Sequence, residues 1–239
     1  SLGSIQTLTH PLPMKSIAFI ITATVAFFVA ACSGPSQQGA TDAAEVVLFD
    51  GKTLGGWEAF LIDDSVGKEE VWSVKDGVLA CKGNPLGYLH TTESYEDFKL
   101  TLDWRWPGEP GNSGVLLRIA GDALSFLPKC VEAQLMSGSA GDIWAFYGAS
   151  VEGDESRFKT IENHDTLGNF KGVGKMASAE NPPGEWNTYE ITLTGGNLTV
   201  MINGELVNEA TGLDQLAGPI GLQSEGAEIE FRDITLVRL

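Results

Sequence analysis

From Val46 to the C-terminus the chain is a succession of short runs of alternating apolar and polar residues, each closed by turn-forming residues. That pattern restricts it to an all-β fold. No segment of ten or more residues carries a helical period, and no internal repeat is apparent. Trp72-Ser-Val-Lys-Asp-Gly-Val-Leu-Ala80 reads as a hairpin, because Asp76-Gly77 supplies a two-residue turn of positive φ between alternating positions. Tyr189–Thr194 and Leu198–Ile202 flank Gly195-Gly196 in the same way, and Asn203-Gly204 begins another tight turn. Ile220–Gln223 and Ile229–Arg238 complete the strand set. Many short strands at regular spacing, with 29 glycines and six tryptophans, predict one two-sheet antiparallel sandwich over residues 46–239.

Three strands are chemically unusual. Gly111-Asn-Ser-Gly-Val-Leu-Leu-Arg-Ile119 alternates so that Val115, Leu117 and Ile119 face one way and Arg118 the other. Val131-Glu-Ala-Gln-Leu135 turns Glu132 and Gln134 away from its apolar face, and Leu100–Trp106 does the same with Asp103 and Arg105. If the three neighbour one another in one sheet, a single surface gathers two carboxylates, two guanidinium groups and an amide. Salt bridges across adjacent strands are the plain structural alternative. Trp57, closing the glycine-rich turn Gly51–Gly56, has two readings of its own, a stacking platform for a ligand or a sandwich-edge tryptophan.

Asp and Glu outnumber Lys and Arg by 32 to 15, a formal charge of -17 that repels phosphate backbones and anionic surfaces. Nucleic acid is therefore not expected as a partner, whereas neutral ligands such as sugars are compatible. Residues 1–31 read as an upstream extension followed by a secretory signal: Met14-Lys15, an apolar run from Ile17 to Ala31, then Cys32. Val29-Ala30-Ala31-Cys32 looks like a bacterial lipobox, which implies a lipid on Cys32, a flexible tether over 32–45 and residence at the cell envelope, periplasmic or cell-surface. Contact with membrane is expected through that anchor alone. Cys81 and Cys130 are then two cysteines in a compartment where a disulfide is permitted, and spacing does not say whether they meet.

Between Gln134 and Trp186 the alternation fades around scattered aromatics, which predicts an elaborated loop rim over the sheet. Glu152, Asp154 and Glu155 lie there without the spacing of a calcium loop, so no metal or cofactor is expected.

The motif order Leu48-Phe-Asp-Gly-Lys-Thr-Leu-Gly-Gly-Trp57, Tyr95-Glu-Asp-Phe-Lys-Leu100, Gly111-Asn-Ser-Gly114 with Arg118, Val131-Glu-Ala-Gln134, Gly184-Glu-Trp-Asn187, Ile202-Asn-Gly204, and Ile220–Gln223 through Phe231-Arg-Asp-Ile234 resembles the 3-keto-disaccharide hydrolase domain family over residues 46–239. The resemblance implies a concanavalin A-like jelly roll in secreted or lipid-anchored bacterial proteins. It also implies action on 3-keto-glycosides made by an oxidoreductase partner. One departure stands out: where the family usually has His-Gly after Leu222-Gln223, this chain has Ser224-Glu225-Gly226.

A carbonyl at C3 of a sugar acidifies the C2 hydrogen, so a base can remove it, the C1 substituent can leave, and water can add to the unsaturated product. This chemistry needs a carboxylate base and a donor or cation for the enolate oxygen. Glu132 is the expected base, Arg118 and Arg105 the expected enolate stabilisers, and Asp103 the alternative base or proton donor. Asn112, Gln134 and Trp57 are expected to orient the sugar, with Gln223 and Glu225 beside it. Two other readings fit the same fold. A conventional glucanase-type glycosidase would need a second acid, because the frame Glu132-Ala-Gln134-Leu-Met-Ser137 keeps one carboxylate. A non-catalytic carbohydrate-binding module needs none. A nucleophilic triad has little support, with three histidines and no nucleophile elbow.

Overall fold

A computed structural model describes residues 44–239. The signal segment, the lipobox Cys32 and the tether up to residue 43 lie outside the described residues. The first strands are β1 (Glu45–Val47), β2 (Trp57–Leu61), β3 (Trp72–Lys75), β4 (Val78–Cys81), β5 (Gly87–Thr91) and β6 (Phe98–Arg105). Then come β7 (Gly114–Ala120), β8 (Lys129–Gln134), β9 (Ile143–Phe146), β10 (Phe158–His164) and β11 (Gly168–Val173). The last are β12 (Asn187–Thr194), β13 (Asn197–Ile202), β14 (Glu205–Ala210), β15 (Gly221–Ser224) and β16 (Ile229–Arg238).

They form two antiparallel sheets, the jelly-roll sandwich that alternation predicts. The first runs β14-β13-β12-β6-β16-β4-β3 with β1 on β16, and the second runs β10-β11-β9-β8-β7-β15-β5-β2. The Asp76-Gly77 turn between β3 and β4 has φ of 53° and 82°, and Asn203-Gly204 between β13 and β14 has 53° and 80°. Both are the positive-φ pairs that tight hairpins demand.

One core lies between the sheets. Leu100, Leu102, Trp104 and Trp106 meet Val115, Leu117, Val131, Ala133 and Leu222 of the second sheet. A second apolar cluster, including Tyr88, Leu116, Ile119, Phe126, Cys130 and Phe146, covers the outer face of the second sheet. A sheet with apolar groups on both faces has a function to explain on one of them.

One expectation is corrected by this structure, and one open alternative is decided. The segment 137–185 is more than a loop rim, since β9, β10 and β11 lie in it and extend the second sheet by three strands. Cys81 and Cys130 form no disulfide: both are buried free thiols, Cys81 in the inter-sheet core and Cys130 on the outer face. Burial pushes the Cys81 thiol up to about 11, opposed by the Gly83 amide, and pushes Cys130 up as well. Thiolate is the reactive form. In the native protein, a thiol reagent at neutral pH is therefore expected to leave both positions unlabelled, with both labelled after denaturation without reductant. Peptide mapping checks this.

Candidate functional site

The strand Leu100–Trp106 alternates as expected but belongs to the other sheet. β6 pairs with β12 and β16, so Asp103 and Arg105 point out from the face of the sandwich away from Glu132. There Arg232 donates twice to Asp103 Oδ2, at 3.0 and 2.9 Å, and Thr188 donates to Oδ1 at 2.8 Å. Arg105 pairs with Glu230 at 2.6 Å, and Trp186 carries Arg105 and Arg232 at 4.5 and 4.1 Å from its ring centroid. These are the cross-strand ion pairs of the structural alternative, so neither residue has a role in the cleft. Alternation assigns a side chain to a face of a strand; it does not say in which sheet the strand sits.

Arg118 is also elsewhere. The β7–β8 register slips between Leu117 and Ala120, and Arg118 takes a φ of 51°. This bulge transfers Ile119 from the expected core face to the outer cluster beside Leu116. The guanidinium is buried and donates to the carbonyls of Asp214 and Glu96 at 2.5 and 3.0 Å and to Asp97 at 3.2 Å. Its work is to tie Glu96 and Asp97, just before β6, to the segment at Asp214 between β14 and β15. Arg118→Met should lower stability by about 3 kcal/mol, because it strands buried carbonyls without a donor; chemical denaturation measures it. Trp57 is buried in the core, its indole donating to Leu48 O at 2.7 Å, so the sandwich-edge reading holds and the stacking reading does not.

The remaining candidates do converge. Glu132, Gln134, Asn112, Gln223 and Glu225 all line one cleft of about 430 Å³ on the outer face of the second sheet. β8 positions Glu132 and Gln134 through the alternation read from the sequence, β15 positions Gln223, and Asn112 pairs across to Glu225 through an isolated bridge. Gln134 is held firmly. Its Oε1 accepts from the amides of Leu135 and Met136, each at 2.9 Å, which turns its NH2 toward Glu132 Oε2 at 3.5 Å. The glycine at 114 leaves room for the acid: a Cβ there would lie 2.6 Å from Glu132 Cδ.

Glu132 is 1% exposed, and its Oε1 has no hydrogen-bond partner within the protein. Asn112 Oδ1 and Gln223 Oε1 share that condition. Burial holds the Glu132 carboxyl well above the ordinary range, with Glu225 adding repulsion. Glu225 is raised too, by burial first, with the Asn112 amide opposing. Buried acceptors left open in a cleft suit a ligand rich in hydroxyl donors.

Sequence reading missed the far wall. Trp144 and Phe146 of β9, Lys159 and His164 of β10 and Phe170 of β11 line the cleft opposite Glu225. Lys159 pairs with Asp142 at 2.7 Å, and His164 Nδ1 accepts from the Thr166 and Leu167 amides at 3.3 and 3.1 Å. The available signal was short, the four consecutive apolar residues of Ile143-Trp-Ala-Phe146.

A jelly-roll sandwich with paired acids and open amide acceptors in an aromatic-walled cleft is of the glycosyl hydrolase-like or carbohydrate-binding class. The chain belongs to the family of the 3-keto-alpha-glucoside-1,2-lyase-like domain, whose model matches residues 44–237. Among solved structures, it is similar to a candidate glycosyl hydrolase from Parabacteroides distasonis at 28% identity and a TM-score of 0.54, covering 83% of this chain and 84% of that one. A second candidate glycosyl hydrolase from that organism has 22% identity, a TM-score of 0.59 and coverage of 82% and 94%. The carbohydrate-binding module CBM66 of Bacillus subtilis shares the fold at 13% identity and a TM-score of 0.54, covering 76% of this chain and 95% of that one. Comparison with curated proteins found no match.

Proposed function

We propose that this protein cleaves 3-keto-glycosides by elimination and hydration, with Glu132 as the base. The observation that carries this reading is the Glu132 carboxyl itself, buried in the cleft with one oxygen unpartnered and its proton affinity raised. A base of high proton affinity matches a weakly acidic hydrogen beside a carbonyl. Glu132 takes the C2 proton, the C2–H electron pair forms the C1–C2 double bond, and the C1–O bond breaks. The departing oxygen then receives the proton that Glu132 carries. Water adds across the double bond, its proton passing through the same carboxylate to C2 and its oxygen bonding to C1.

With Arg118 and Arg105 elsewhere, the enolate needs another partner. Glu225 supplies it: its charge opposes charge on Glu132, so the two carboxyls retain one proton between them, and while one acts as base the other donates a hydrogen bond to the C3 oxygen. The residue that departs from the family pattern thus replaces the usual histidine as a donor. An oxidoreductase would supply the 3-keto substrate, and a lipid on Cys32 would place the reaction at the cell envelope. Detection of an acylated N-terminal cysteine by mass spectrometry tests the anchor.

The reaction is tested with methyl 3-keto-glucoside and methyl glucoside in D2O. Release of sugar from the keto compound alone, with deuterium at C2 of the product, is the expected result. Cleavage without deuterium at C2, or cleavage of the unoxidised glucoside, would overturn elimination. Binding without turnover would place the protein with the carbohydrate-binding modules.

A further inference from the structure

The cleft is divided along its length, and the strand registers show where. Glu132 is opposite Trp144, Trp144 opposite Gly172, and Gly172 opposite Lys159, so these residues form one row across the sheet. On one side of that row, Gln134 pairs with Gly114, Gln223 lies next along β15, and Asn112 bridges to Glu225. Met136 apart, the side chains that line this side are polar, Ser139 and Asp142 included. On the other side, Cys130 is opposite Phe146 and Ile161 opposite Phe170, with Leu127 and Leu167 beyond. Among the described residues lining that end, His164 is the one polar side chain, and its Nδ1 is already engaged by two backbone amides.

Glu132 therefore stands at the boundary between a polar half and an apolar half. A glycoside has the same division at the glycosidic bond when its aglycone is apolar. We propose that the cleft takes 3-keto-glycosides with an apolar, ring-containing aglycone, the sugar ring toward Gln134, Gln223 and Glu225 and the aglycone against Phe146, Phe170, Leu127 and Leu167. This rests on the cleavage reading above and specifies its substrate class.

A second sugar fits this end poorly for two reasons. Its hydroxyls would be desolvated where almost no partner exists, which costs binding energy for each one. Nor do the aromatic rings offer an open platform for stacking a sugar. Phe146 and Phe170 are 4.9 Å apart and tilted by 41°, Trp144 meets Phe170 edge-on at 71°, and Lys159 Nζ lies over the Trp144 ring at 5.6 Å. The rings are packed into one another as an apolar wall.

The test compares benzyl and methyl 3-keto-glucosides, which release alcohols of similar acidity, with a 3-keto-disaccharide. The benzyl compound is expected to exceed both by roughly tenfold or more in kcat/KM, chiefly through KM. Phe170→Ala, and Ile161→Asn on the exposed edge strand, should each bring the benzyl-to-methyl ratio to within about threefold of unity. Preference for the disaccharide, or a benzyl advantage untouched in both variants, would overturn the proposal. If no keto-glycoside is cleaved, the cleavage reading alone has failed, and calorimetry with benzyl and methyl glucosides decides the subsite. Tighter benzyl binding that is lost in Phe170→Ala sustains it, and equal binding rejects it.

Discussion

Glu132→Gln should lower turnover of a 3-keto-glycoside about 10³-fold and at the same time make the fold more stable at neutral and alkaline pH. Both effects come from one cause. The Glu132 carboxyl is held well above its ordinary value of 4.5 by burial and by Glu225, so the folded protein binds a proton there that the unfolded chain has released. Stability rises with pH only where the unfolded state binds more protons; here the folded state does. The Glu132 contribution is thus fully present below the ordinary carboxylate range and is lost as pH rises through the raised value. Glutamine mimics the neutral acid and never acquires the buried charge.

Thermal melts of the two proteins should coincide at about pH 4 and separate progressively as pH rises, by about 1–2 kcal/mol or roughly 3–6 °C at the plateau. Activity runs the other way, rising with pH as the base is freed. A variant that loses activity without this widening gap would show that the buried charge is not the source of the effect.

Gly114→Ala is expected to disable the site from beneath. A methyl group at 114 would lie 2.6 Å from Glu132 Cδ and 2.7 Å from Cγ, so the acid must leave its seat over the strand. Overpacking of this kind costs about 1–3 kcal/mol, and displacing a base by about 1 Å can cost 10²-fold in rate. The cause is separable by a double-mutant cycle. In a Glu132→Ala background the three nearest atoms that the methyl group would meet are gone, and its cost should fall below about 0.5 kcal/mol. Denaturation of the four proteins measures the coupling. An equal cost in both backgrounds would mean that Gly114 serves the strand and not the acid.

The registers explain why the sequence revealed half the site. Asn112, Glu132, Gln134, Gln223 and Glu225 come together because β7, β8 and β15 are neighbours and their period of two holds along the stretch that borders the cleft. Asp103 and Arg105 obeyed the same period and ended on the opposite side of the sandwich, since the chain between β6 and β7 passes from one sheet to the other. Arg118 was misplaced for a different reason, a single bulge residue of positive φ that broke the alternation inside β7. The aromatic wall was hidden because β9 is four residues long and β10 is exposed along its whole length, so neither presents a long apolar stripe.

Periodicity and turn chemistry by themselves determined the all-β sandwich, its hairpins and the outward direction of Glu132 and Gln134, because these depend on neighbours along the chain. The tertiary structure alone decided which strands share a sheet, where the bulge falls and that Cys81 and Cys130 stay apart. It also decided that the cleft beside Glu132 holds a second carboxyl, Glu225, and neither Arg105 nor Arg118. Those outcomes depend on pairings between residues far apart in sequence, and a pattern with a period of two reads the same whichever partner lies beside it.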